Sequence, residues 1–174
     1  FQAKVEAMGW FYPPDPSSLQ QCTLGGNIAC CSGGPRCLKY GVTKDYVMGL
    51  TIVLANGKVL KWGGKLMKNV TGYNLAQLFI GSEGTLGIVT EIILRLLPLP
   101  KFRSTAAAFF PKLEQATNSV VGIMAAGILP ATLEIMDNLT INVVEQNVHM
   151  GLLTDVEALL ILEQDGNEIG RAHV

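Results

Sequence analysis

The sequence has 174 residues, enough for one domain of ordinary size or for a domain and part of another. With 49% apolar and 16% charged residues and a mean hydropathy of +0.34, it can build a core and does not read as a disordered tail. Thirteen basic residues against 14 acidic ones leave a net charge of −1, which gives nucleic acid little to attract it. No window approaches the ~18 uninterrupted apolar residues of a membrane span.

In chain order, residues 1–9 read as the tail of a helix that ends at Gly9, and they carry no signal-peptide pattern. Residues 11–18 (FYPPDPSS) read as an extended, proline-held linker, because each residue before a proline is pushed away from helix. Residues 22–41 form a glycine-rich run too broken for long elements. Tyr46–Ala55 and Lys58–Trp62 read as a hairpin closed by a type I′ turn at Asn56-Gly57. Asn74 is placed to cap a short helix through Ile80, with Leu75, Leu78 and Phe79 on its apolar face and Gly81 as its stop. Thr85–Leu97 is rich in β-branched residues and reads as one long strand closed by Pro98 and Pro100.

Composition shifts at residues 97–101. Beyond it come a strand at Ser104–Phe110, an amphipathic helix at Lys112–Ala126, a strand at Thr132–Met136, a helix near Asn138–Asn147 and a strand at Ala158–Leu162. That order predicts a second α+β unit beginning near residue 101. The last seven residues, Glu168 to Val174, resemble the in-frame translation of a sequencing adapter. Arg171 and His173 are therefore given no functional weight, and the chain is expected to be a fragment, with both ends cut. His149 reads as a surface histidine.

Four cysteines, Cys22, Cys30, Cys31 and Cys37, fall within 16 residues. They match no paired zinc-ligand spacing, and without an export signal they read as reduced thiols of a cytoplasmic protein. The two histidines cannot populate a catalytic triad and a metal site together. GSEGTLG (Gly81, Gly84, Gly87) superficially fits a dinucleotide fingerprint, but it follows a helix and opens a strand, the reverse of the required order. Gly64-Lys65 is followed by Leu66 and so makes no phosphate-binding P-loop. What remains is a concentration of glycines between Gly25 and Gly87. Paired glycines either make tight turns or let main-chain N–H groups approach a large flat or anionic ligand.

PPDPSS, CTLGGNIA, SGGPRCLKYGVT, DYVMGLTIVLANGKVL, KNVTGYNLAQLFIGSEGTLGIVTE and RLLPLP occur in that order. Together they resemble the FAD-dependent 2-hydroxy-acid oxidoreductases of the vanillyl-alcohol-oxidase (PCMH-type FAD-binding) family, in particular the FAD subunit of glycolate oxidase and the D-lactate dehydrogenases. The resemblance implies an α+β chain: residues 1–100 as the second half of a PCMH-type FAD-binding domain, and 101–167 as the start of an α+β (ferredoxin-like) substrate domain. It implies that Gly25, Gly26, Asn27, Ser32, Gly33, Gly34 and Gly41 line the flavin and ribityl-pyrophosphate part of FAD. Gly87, Ile88 and Val89 would offer backbone groups on the adenine side, fed by the turn at Glu83 and Gly84. Lys68, Asn69, Gly72 and Tyr73 match a family stretch read either as a contact near the cofactor or as sheet packing.

The family's pyrophosphate loop is expected before Phe1, and its histidine metal ligands and catalytic base far downstream. No catalytic residue is therefore assigned here. At Cys30-Cys31 the family pattern would have a polar residue. The parent protein is expected to oxidise a small 2-hydroxy acid and to pass electrons to an acceptor or to partner subunits, in the cytoplasm or at the inner membrane through those partners. A non-catalytic FAD-binding subunit, or a related oxidase of another alcohol, is the alternative.

Overall fold

A computed structural model describes residues 1–167; Glu168–Val174, including Arg171 and His173, lie outside the described residues. The chain forms two compact units, Phe1–Leu99 and the part from Pro100 onward.

In the first unit, α1 (Gln2–Glu6) ends near Gly9, whose φ of 81° turns the chain into β1 (Trp10–Phe11). β1 pairs with β5 (Leu97–Pro98), and Leu99 N–H donates to Gly9 O (3.0 Å), so the two ends of the unit are stitched together. The expected linker at 11–18 is largely interior: Phe11 and Tyr12 are 0% and 2% exposed, and Pro13, Pro14 and Pro16 are buried. Proline carries no N–H, so a proline-rich segment can be buried with fewer donors to satisfy than any other chain. Asp15 pairs with Arg36 (3.3 Å), whose guanidinium lies 5.4 Å above the Phe11 ring, and this anchors the segment to the glycine-rich run.

The main sheet has the order β3-β2-β4, with β2 (Val47–Val53) antiparallel to both β3 (Val59–Gly63) and β4 (Ile88–Leu94). The predicted hairpin is present, but its turn is a different one. Gly57 N–H donates to Leu54 O (2.9 Å), and only Gly57, not Asn56, has a positive φ. That is a three-residue loop with a left-handed glycine bulge; type I′ would need both central residues left-handed. The predicted strand 85–97 is split into β4, which pairs with β2, and β5, which pairs with β1.

The 74–80 helix shortens to α4 (Ala76–Phe79), with no side-chain cap. It buries Ala76 and Phe79 and leaves Leu78 61% exposed, so the apolar face is one residue out of phase with the expected one. The core of the unit is Ile28, Leu50, Ile52, Ala76 and Phe79, with Trp62 against Phe79 (5.6 Å between rings).

The second unit contains β6 (Phe102–Phe110), α5 (Leu113–Ala125), β7 (Thr132–Asp137), α6 (Asn138–Val148) and β8 (Ala158–Gly166). The sheet order is β6-β8-β7, antiparallel throughout, with β8 central and supplying the buried Ala158, Leu159 and Leu160. Ala116 of α5 and Ile141 of α6 are buried from the helix side. Asp137 caps α6 by accepting from Thr140 N–H (2.8 Å), and these bonds hold its carboxyl below the usual carboxylate range. The exposed His149 ends α6 in the left-handed region. No helix among the described residues is long and apolar enough to cross a membrane.

Candidate functional site

The glycine-rich run is more ordered than its composition suggests. Gly25, Gly26 and Asn27 lie in α2 (Leu24–Cys30). Thr23 makes the helix possible: its Oγ1 accepts from Gly26 N–H (3.0 Å), which satisfies an otherwise orphaned donor. At the other end Cys31 takes a left-handed conformation (φ 48°). Ser32 N–H reaches Asn27 O (2.8 Å) and Cys31 N–H reaches Ile28 O (3.1 Å), the double bond pattern that usually closes a helix on glycine. Cys30 is exposed, and all four cysteines are free thiols.

Two further hydrogen bonds join α2 to the second glycine motif. Gly81 N–H donates to Ile28 O (2.9 Å), and Glu83 N–H donates to Ala29 O (2.8 Å). The turn 81–83 thus docks on the last carbonyls of α2. On the helix's first turn, a Cβ placed on Gly25 would find only Val89 O, at 3.8 Å. Residues 53 to 64 positions apart in sequence therefore share one surface. β4 sits at the edge of its sheet, so part of its main chain faces away from β2.

The eleven predicted residues divide into two groups. Gly25, Gly26, Gly84, Ile88 and Val89 are wholly or partly exposed, and no protein atom fills the space beside Gly84. This part fits a large flat ligand held by main chain. The second group is committed to the protein itself. Asn27 is 6% exposed and its amide donates to Cys22 Sγ (3.4 Å). The carbonyl of Ser32 accepts from both the N–H and the Oγ1 of buried Thr43 (3.1 and 2.7 Å). Gly33 packs on Cys37, and Gly34 is pressed against Asp15, where a Cβ would lie 2.7 Å from the carbonyl carbon. Gly41, at the end of α3 (Cys37–Tyr40), sits against Asp45, whose Oδ2 accepts from Val42 N–H (2.8 Å). Gly87 is wedged between β4 and β2, with Ile52 Cγ2 2.8 Å from where its Cβ would be. Of the family-matched stretch at 68–73, Lys68, Asn69, Gly72 and Tyr73 are exposed, Tyr73 at 92%.

Sequence reasoning missed a tyrosine cluster in the same unit. Tyr12 and Tyr46 meet edge to face (5.7 Å), and Tyr46 OH donates to Tyr40 O (2.6 Å). Burial pushes the Tyr12 phenol up to about 12. Burial also raises that of Tyr46, opposed by Arg95, whose guanidinium lies 5.2 Å from its ring centre. The only signal in the sequence was the pair of aromatics flanking the prolines. No group of three metal-ligating side chains occurs among the described residues.

Residues 1–63 match the FAD binding domain family, and residues 99–173 match the C-terminal domain of FAD linked oxidases. The chain belongs to the FAD-linked oxidoreductases, and FAD is the cofactor of that class. Among its relatives, the glycolate oxidase subunit GlcD of Bacillus subtilis is 54% identical over 162 residues, 93% of this chain and 34% of that protein. The Escherichia coli K12 protein of the same name is 42% identical (91% of this chain, 32% of that one), and the D-lactate dehydrogenase of Anaerostipes hadrus is 37% identical (94% and 35%). The chain therefore spans about a third of the length of the curated relatives it matches. A solved alkyldihydroxyacetonephosphate synthase shares the fold, with a TM-score of 0.77 at 24% identity over 95% of this chain and 32% of that one.

Proposed function

We propose that α2 and the 81–89 segment form one wall of an FAD site in an oxidoreductase that converts a small 2-hydroxy acid, of the glycolate or D-lactate class, to the 2-oxo acid. The observation that carries this is the docking of the 81–83 turn on Ile28 O and Ala29 O, which brings Gly25 and Val89 to one surface. When bound, FAD supplies the acceptor for the substrate's α-hydrogen, which leaves as hydride while the hydroxyl proton goes to a base. None of the described residues is assigned to that proton transfer. They bind and orient: Gly25 and Gly26 allow close main-chain approach, and the outward edge of β4 at Ile88 and Val89 offers N–H and C=O groups regardless of side chain.

In this reading residues 1–100 are the second half of the FAD-binding domain and residues from 101 begin the oxidase C-terminal domain. The relatives named as glycolate oxidase subunits favour partner subunits that take the electrons, and the four free thiols favour the cytoplasm.

None of the eleven predicted residues carries a charged side chain, so the wall offers FAD main-chain and neutral hydrogen bonds. A charge-assisted hydrogen bond is worth about 1.5–3 kcal/mol, and a wall that makes none to the pyrophosphate binds FAD weakly. Titrating FAD into the isotopically labelled chain tests the reading. The expected result is weak binding with amide shifts concentrated at residues 25–26 and 84–89. Shifts concentrated elsewhere, or none at millimolar FAD, would overturn it.

A further inference from the structure

The longest exposed stretch of the first unit is the loop 65–74, which leaves β3 through Gly63-Gly64 and leads into α4. Its hydrogen bonds are local: Leu66 N–H donates to Gly64 O (2.9 Å), Thr71 N–H to Asn69 Oδ1 (3.4 Å) and Leu75 N–H to Tyr73 O (3.0 Å). Leu66, Met67, Val70 and Tyr73 are 63%, 78%, 81% and 92% exposed. Single exposed apolar residues are ordinary on a protein surface, but four large ones in one short loop mark a surface that meets something apolar.

Charge points to the same loop. Between Asp45 and Glu83 the chain carries four lysines, Lys58, Lys61, Lys65 and Lys68, and no acidic residue. Lys61 is matched by Glu91 (3.6 Å), and Asp45 and Arg95, which line a cavity together with this loop, cancel in charge. Lys65 and Lys68 make no ion pair among the described residues. They flank Leu66 and Met67, so cationic heads on long apolar stems alternate with apolar tips. The core of a protein interface is depleted in lysine. A bilayer surface suits the whole set: ammonium groups lie at the phosphates, a tyrosine at headgroup level, and aliphatic tips just below. The loop has no helix or strand to satisfy its main chain, so that main chain must stay hydrated, which limits the depth to the interfacial layer.

We propose that the loop 65–74 docks this chain on an anionic lipid surface, with Lys65 and Lys68 against the headgroups and Leu66, Met67, Val70 and Tyr73 in the interfacial layer. The contact belongs to the first unit alone and does not rest on the flavin reading of α2 and β4.

Flotation of the full 174-residue chain with lipid vesicles, without flavin, tests it. Saturable binding is expected to vesicles of two parts phosphatidylcholine to one part phosphatidylglycerol, and binding at least about tenfold weaker to phosphatidylcholine alone. Lys65→Gln and Lys68→Gln should each weaken binding about fivefold, and about 25-fold together. Lys101→Gln, the same charge change in the second unit, should alter it less than about twofold. Met67→Ser combined with Val70→Ser should weaken it about tenfold and leave its salt dependence in place. All of these side chains are exposed, and circular dichroism checks that each variant is folded.

Equal binding to the two kinds of vesicle, unchanged affinity in the folded double lysine variant, or no binding of the unmutated chain to the phosphatidylglycerol vesicles would each overturn the proposal. Retention on immobilised polyglutamate without binding to those vesicles would overturn it too, and would assign the loop to an acidic protein partner.

Discussion

Two glycine-bearing regions of the first unit look alike in sequence and differ in what fills the space beside them. Around Gly33, Gly34 and Gly41 the missing side chains are replaced by the protein's own atoms: Cys37, Asp15 and Asp45. Around Gly25 and Gly84 the space is nearly or wholly open. The first region is a tight internal seam between the proline segment and the loop after α2. The second is a surface where main chain is left bare. A glycine-rich run in a cofactor-binding family is thus not uniformly a cofactor cradle, and only the neighbours of each glycine tell the two uses apart.

The largest effect expected from this contrast is at Gly34. A methyl group there would lie 2.7 Å from both the carbonyl carbon and Oδ1 of Asp15, backbone that cannot move without releasing the Arg36 pair. Gly34→Ala should cost about 3 kcal/mol, read as a lowered urea midpoint or as loss of soluble protein. Gly87→Ala, 2.8 Å from Ile52 Cγ2 and 2.9 Å from Val53 O, should cost about 2 kcal/mol by the same measurement, since its contacts are less close than the backbone approach at Gly34. If either variant is as stable as the parent, the internal seam is not as tight as described.

Alkali probes the same seam from the tyrosine side. The phenol of Tyr12 titrates at about 12 in the fold against an ordinary value of 10.0, so between these values the unfolded chain binds fewer protons than the folded one. Stability is fully present below pH 10 and falls as the pH rises through about 12. Urea midpoints should decline over that window, and Tyr12→Phe should remove a large part of the decline. A decline that begins near pH 8 would point to another group.

The smallest effect on the fold, and the sharpest on function, is expected at Gly25. Its Cβ position is in ordinary contact only with Val89 O (3.8 Å), and alanine is the better helix former by up to about 1 kcal/mol. Gly25→Ala should leave the chain as stable or stabler while weakening FAD about tenfold, because the methyl intrudes where main chain meets the ligand. Unchanged FAD affinity in a stable Gly25→Ala chain would move the flavin wall away from α2.

The succession of elements was legible in the local chain: the 47–63 hairpin, the β-α-β-α-β order after residue 101, and the glycine motifs with their family. Alternation, helical period and turn chemistry act over a few residues and are written in the local chain. Not legible there were the burial of Phe11–Pro14 and Pro16, the turn of Leu78 to solvent while Ala76 faces the core, and the inward turn of Asn27 to Cys22. Those depend on which distant segment arrives alongside. The same is true of the wall itself: Ile28 O and Gly81 N–H are 53 positions apart, and neither residue type announces the bond, since every main-chain N–H and C=O is alike until the fold selects its partner.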